Sequence, residues 1–106
     1  MRAYEKCLKH ELIKLGLRVE SQVWLPVRYD GIEIEGGYKI DLLVEGLVIV
    51  ELKVVEQVLD VHKAQLLSYL KLTNKQVGLL INFNVVHLRD GIRRMVNHYQ
   101  PPAVLV

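Results

Sequence analysis

Apolar residues recur at three- and four-residue steps near the start of the chain, at Tyr4, Leu8, Leu12 and Leu15. That period predicts a helix over residues 3 to 15, with Gly16 as its cap. From Val19 the period becomes two. Val19, Val23, Leu25 and Val27 alternate with more polar neighbours, predicting a strand interrupted near Pro26, which has no backbone N–H for a ladder. Asp30-Gly31 is a turn pair, Ile32-Glu33-Ile34 a short return strand, and Gly36-Gly37 a break after it. Residues 38 to 43 and 47 to 54 then read as a tight hairpin around Glu45-Gly46. A helical period returns from about Val61, with Ala64, Leu67, Tyr69, Leu70 and Leu72 marking a mostly buried helix that ends near Thr73-Asn74. Residues 77 to 82 predict a buried strand. Residues 90 to 97 predict a last helix capped by Asp90, ahead of a Pro101-Pro102 tail.

The order is helix, three or four strands in a meander, helix, strand. It predicts an α/β fold with a mixed sheet flanked by helices, in one domain over residues 1–106. Repeats, low-complexity tracts and linkers are absent from the sequence. Apolar runs such as Leu47-Val48-Ile49-Val50 are too short to cross a bilayer, and no membrane association is expected. The N-terminus is charged from Arg2 onward without the apolar stretch of a secretory signal, so none is expected. With one cysteine, Cys7, there is no internal disulfide. A cytoplasmic protein with a buried structural thiol is expected. The net charge of +2 gives no warrant for nucleic-acid binding. Two local clusters are basic: Arg2, Lys6, Lys9 and Lys14, then Arg89, Arg93 and Arg94. They suit either a phosphate-binding face or plain solvated helix surfaces.

One stretch changes the picture: Asp41, followed after a turn by Glu51-Leu52-Lys53. Glu51 and Lys53 stand two apart in an apolar strand and so share a face. Burying both costs several kcal/mol unless they pair or bind something. A two-residue turn at Glu45-Gly46 would place Asp41 opposite Val50, on the wrong face. A three-residue loop over residues 44 to 46, with a left-handed Gly46, pairs Leu43 with Leu47. It sets Asp41 across from Ile49, on the same side as Glu51. Two carboxylates held close invite a hard cation such as Mg²⁺, or Mn²⁺ in its place, and the backbone carbonyl of Leu52 offers a third oxygen. Lys53 then supplies a positive charge for phosphodiester chemistry. On spacing alone the plainer alternative stays open: a Glu51–Lys53 pair at a strand end, with Asp41 a turn residue.

At these residues the chain resembles the PD-(D/E)XK nuclease superfamily, with Asp41 as its Asp and Glu51-Leu52-Lys53 as its (D/E)-x-K. More closely it is similar to the GxxExxY family of small bacterial proteins in that superfamily. The likeness runs through Tyr4-Glu5, His10-Glu11-Leu12, Gly37-Tyr38, Asp41-Leu42-Leu43-Val44, residues 48 to 53, residues 62 to 70, residues 78 to 84 and Gly91-Ile92-Arg93-Arg94. It implies a restriction-endonuclease-like core of order αβββαβ and Mg²⁺-dependent hydrolysis of nucleic acid, DNA ahead of RNA. Asp41 and Glu51 are the implied ligands and Lys53 the catalytic cation. Gln65 and Tyr69 match a Gln-x-x-x-Tyr pattern, Gln65 touching the attacking water or the backbone and Tyr69 supporting. The likeness departs at Met1, which stands where the family motif has Glu. Glu5 is read as the first-helix acid and further metal ligand, with Glu11 as runner-up. The other reading is an inactive module of the same fold that binds nucleic acid or a protein partner. An uncovered edge strand also makes a homodimer an expected assembly. His62 opens the second helix and is expected to be structural rather than catalytic, and Trp24 is expected in core or dimer packing.

Overall fold

The computed structural model describes residues 2–98. Their order is α1 (Arg2–Lys14), β1 (Val19–Tyr29), β2 (Ile32–Val44), β3 (Val48–Lys53), α2 (Asp60–Thr73), β4 (Val77–Asn82), a short 3-10 helix (Leu88–Gly91) and β5 (Ile92–Val96). One five-stranded sheet runs in the order β1-β2-β3-β4-β5. Each neighbouring pair is antiparallel except β3 and β4, which are parallel and joined through α2. The sheet is therefore mixed and flanked by helices, as the patterning implied.

Each face of the sheet has its own core. Leu25, Ile40, Leu43, Ile49 and Leu80 pack with Leu66 and Leu70 of α2. Val19, Leu42, Val50, Leu52 and Ile81 pack with Leu8 and Leu12 of α1. Ile40, Leu42, Ile49 and Leu70 have no solvent-accessible surface, and burying one such side chain contributes on the order of 2 kcal/mol. The helical period misplaces a few positions. Leu15 and Ala64 are exposed, whereas Leu17 and Leu66 pack inward. Leu15 lies past the end of α1, where the chain has already turned.

The long β1–β2 ribbon turns at Asp30 and Gly31, both in the left-handed region, as an Asp-Gly hairpin requires. Contrary to the expected break at Gly36-Gly37, β2 is continuous. The irregularity is a bulge instead: the pairing shifts between Leu25 and Val27, so residues 35 to 37 stand opposite Pro26. Pro26 supplies no N–H, and the extra residues of β2 absorb the gap. Gly37 is needed there, because a Cβ at that position would lie 1.8 Å from the Leu25 carbonyl oxygen.

The expected C-terminal helix is not formed. Residues 88 to 91 make one 3-10 turn, and Ile92–Val96 pairs antiparallel with β4 from Ile81↔Ile92 to Val77↔Val96. The helix-favouring Arg93-Arg94-Met95 run yields to the open edge of β4, whose backbone groups need partners. Gly91 allows the approach: a Cβ there would meet the Asn82 carbonyl oxygen at 2.0 Å. Cys7 corrects a second expectation, since its thiol is exposed and not buried. Trp24 is 62% exposed on β1, outside the core. The Pro101-Pro102 tail and Met1 lie outside the described residues.

Candidate active site

The site begins with the parity of β3. Ile49 packs toward α2, and Val50 and Leu52 toward α1. Alternation along the strand therefore puts Glu51 and Lys53 on the α2 side. The β2–β3 loop decides whether Asp41 joins them. It has three residues, 45 to 47, and pairs Val44 with Val48, Leu43 with Ile49 and Leu42 with Val50. The anticipated loop was three residues long but sat one place earlier. Its parity is right, and the register differs by two. One step further along this register, Asp41 stands across from Glu51 rather than Ile49. Glu45 and Gly46 both take positive φ, and Leu47 N–H closes the turn on the Val44 carbonyl at 3.0 Å. Glu45 anchors the turn as well: its N–H donates to the Arg18 carbonyl (2.8 Å), and its carboxylate accepts from the Arg18 N–H (3.0 Å).

At Asp41 the ladder between β2 and β3 stops, and side chains replace backbone pairing. The Leu52 N–H donates to Asp41 Oδ2 at 2.9 Å, and the Asp41 N–H donates to Glu51 Oε1 at 3.3 Å. The two acids thus share one small region at the end of the hairpin. On the other edge of β3 the Lys53 carbonyl accepts from the Phe83 N–H at 2.9 Å. Strand residues alternate the edge to which they turn both N–H and C=O. The Leu52 carbonyl consequently points with its N–H toward Asp41 and away from β4.

Proximity shows in the electrostatics. Burial, and next the charge of Asp41, push the Glu51 carboxyl from its ordinary 4.5 up to about 7; the Asp41 N–H and Lys53 oppose this. Tyr69 from α2 is half-buried at the same place. Its phenol is raised by burial first, then by Glu51, Tyr38 and Asp41. Its ring leans on Tyr38 with centroids 4.2 Å apart, which fixes the ring beside the acids. Lys53 is half-buried, and among the described residues its ammonium makes no hydrogen bond or ion pair.

Other sequence-derived candidates fall unevenly. Glu5 is buried, at 8% exposed, and reaches the same region from α1, where it accepts a hydrogen bond from Gln22 Nε2. Glu11, the runner-up, is on the exposed side of α1 in a 3.6 Å pair with Lys14. Gln65 is exposed one turn before Tyr69 and has no hydrogen bond to the acids. His62 caps α2, its Nδ1 accepting from the Leu59 N–H at 3.0 Å, which is the structural role expected of it. Asn82 and Asn84 clamp the chain after β3 by bonding the backbone of Val55. Gln22 is the residue that sequence reasoning missed. Its Nε2 lies between Glu5 Oε1 and Asp41 Oδ1, the latter at 3.5 Å. The bulge at residues 35 to 37 hid it, because counting back from the Asp30-Gly31 turn without that bulge gives the wrong partner for Asp41.

Among the described residues no group of three or more His, Cys, Asp and Glu side chains is close enough to hold a metal ion. The donors at hand are the carboxylates of Asp41 and Glu51 and the carbonyl of Leu52. Such a set suits Mg²⁺, which keeps several waters and commonly takes one or two carboxylates from the protein. The upward displacement of Glu51 comes first from its burial and second from the neighbouring Asp41 charge.

An antiparallel meander entering a parallel pair through a helix, with Asp41 inside β2 and Glu-x-Lys at the end of β3, defines a restriction-endonuclease-like fold. The chain belongs to the PD-(D/E)XK nuclease superfamily, whose family model matches residues 2–95. Neither the curated proteins nor the solved structures contain a significant match to it. Among the described residues no helix is long and apolar enough to cross a membrane.

Proposed function

We propose that the protein is a divalent-metal-dependent nuclease that hydrolyses phosphodiester bonds, with DNA favoured over RNA as substrate. The observation that carries this reading is the convergence of Asp41 and Glu51 across the β2–β3 hairpin, with Glu51 pushed up to about 7 and Lys53 next on its face. Asp41, Glu51 and the Leu52 carbonyl are the groups that would hold Mg²⁺ or Mn²⁺, with Glu5 as a further carboxylate at the rim. Bound there, the ion would supply polarisation of a phosphoryl oxygen and a more acidic attacking water. Lys53 orients that water and offsets the negative charge that builds on the phosphate as the leaving oxygen departs. Tyr69, braced by Tyr38, lines the approach, and Gln65 one turn earlier meets the substrate backbone from the exposed side of α2. A polar hollow of about 370 Å³ opens beyond the ends of β3 and β4, where Lys63 and Arg93 stand together with Glu56 and Asp90. Within the superfamily, the segments quoted above support reading the chain as a member of the GxxExxY family. A cytoplasmic setting accords with its single cysteine.

A second reading keeps the fold without turnover: a module that binds nucleic acid or a protein partner, alone or as a homodimer. It is favoured by the finding that, among the described residues, no third metal-binding side chain stands close to Asp41 and Glu51. Incubating DNA and RNA with the protein and Mg²⁺ or Mn²⁺ separates the two. The nuclease reading expects cleavage by the wild type and none by Lys53→Ala. Failure to cut any nucleic acid, with tight binding that survives Asp41→Ala, favours the module.

A further inference from the structure

We infer that Gln22 is a positioning residue of this site, its side-chain amide tying Glu5 to Asp41 and competing with a cation for the same oxygens. The inference rests on the reading of Asp41 and Glu51 as cation ligands. Gln22 lies inside β1, yet its backbone is left-handed, with φ 53°. The β1–β2 pairing passes from Ser21↔Leu42 to Val23↔Ile40 and skips the Gln22–Asp41 step. The chain rolls over at that step: Leu42 packs toward α1, while Ile40, two residues away, packs toward α2. A non-glycine residue in this conformation is strained and persists only where its surroundings hold it.

What holds it is polar and local. Gln22 Nε2 donates to Glu5 Oε1 and reaches Asp41 Oδ1 at 3.5 Å. Next to it, Ser21 Oγ accepts from Lys9 Nζ at 2.9 Å, one helical turn after Glu5. Helix α1 is therefore clasped to β1 at two adjacent residues, and one clasp passes through the candidate site. Among the described residues the buried Glu5 carboxylate accepts a hydrogen bond from this amide and from no other group. An amide NH₂ is a neutral donor that can serve two carboxylates at once. A cation asks for those same oxygens, so the amide must give way as the cation is bound.

The test titrates Mn²⁺ alone into wild type, Gln22→Met and Gln22→Glu at pH 8 by calorimetry. Removing the donor, or replacing it by a carboxylate, is expected to tighten Mn²⁺ binding by about fivefold or more, the scale of coupling between groups that share partners. The same changes lower the melting temperature of the metal-free protein, because Glu5 is left without its donor. Unchanged or weaker Mn²⁺ binding in Gln22→Met overturns the inference while leaving the cation site standing. If that variant does not fold, Gln22→Leu, which removes the donor without adding a ligand, decides by the same criterion. A wild type that binds no Mn²⁺ overturns the site itself and the inference with it.

Discussion

Replacing Glu51 by Gln should stabilise the metal-free protein at alkaline pH, although it removes a carboxylate from the proposed centre. The folded carboxyl titrates near 7 against an ordinary 4.5, chiefly because it is buried and secondarily because Asp41 is charged. A carboxyl whose folded pKa is raised keeps its proton longer in the folded state than in the unfolded one. Its contribution is then fully favourable below pH 4.5 and is lost as pH rises through 7. At 1.36 kcal/mol per pKa unit, the loss above pH 7 is on the order of 3 kcal/mol. Glutamine has the same shape and retains an oxygen to accept the Asp41 N–H, but it cannot ionise. Glu51→Gln should thus melt on the order of 10 °C above wild type at pH 8 in chelator. At pH 5 the two should melt within a few degrees of each other, since the wild-type carboxyl is then mostly protonated. Thermal denaturation followed by circular dichroism at both pH values provides the comparison. Equal melting temperatures at pH 8 would refute the reasoning, for they would mean that Glu51 ionises in the fold without cost.

Other consequences follow from the same geometry. Asp41→Asn should bring the Glu51 titration down toward 4.5, since a neighbouring charge is lost, as read by carboxyl NMR shifts against pH. Gly37→Ala should disrupt the β1–β2 ribbon, because the added Cβ would fall 1.8 Å from the Leu25 oxygen; a cost of about 3 kcal/mol or outright insolubility is expected in urea unfolding. Leu70→Ala, at a position with no exposure, should cost about 2–5 kcal/mol in the same assay. Tyr69→Phe should leave stability near wild type by preserving the ring against Tyr38, while lowering cleavage rate through the lost hydroxyl, as measured by single-turnover kinetics.

Much of this was legible along the chain because it depends on local periods. Helix α2, strand β4 and the Asp-Gly turn each follow from short-range patterning, and the shared face of Glu51 and Lys53 follows from a separation of two. The parity of the β2–β3 loop was readable from Gly46, yet its position was not. Glu45 is drawn into the turn by Arg18, 27 residues away in sequence, and no local rule contains that hydrogen bond. The same limit applies to β5, where the open edge of β4 overrode a helix-favouring run. Gln22 illustrates it most sharply. Its place beside Asp41 depends on a bulge opposite Pro26 and on a left-handed residue inside a strand, both settled by tertiary contacts.

Anomalous diffraction from crystals grown with Mn²⁺ tests the central claim most directly. A single strong peak should lie about 2 Å from carboxylate oxygens of both Asp41 and Glu51. A map with Mn²⁺ bound elsewhere on the protein, and no density between those two side chains, would contradict it.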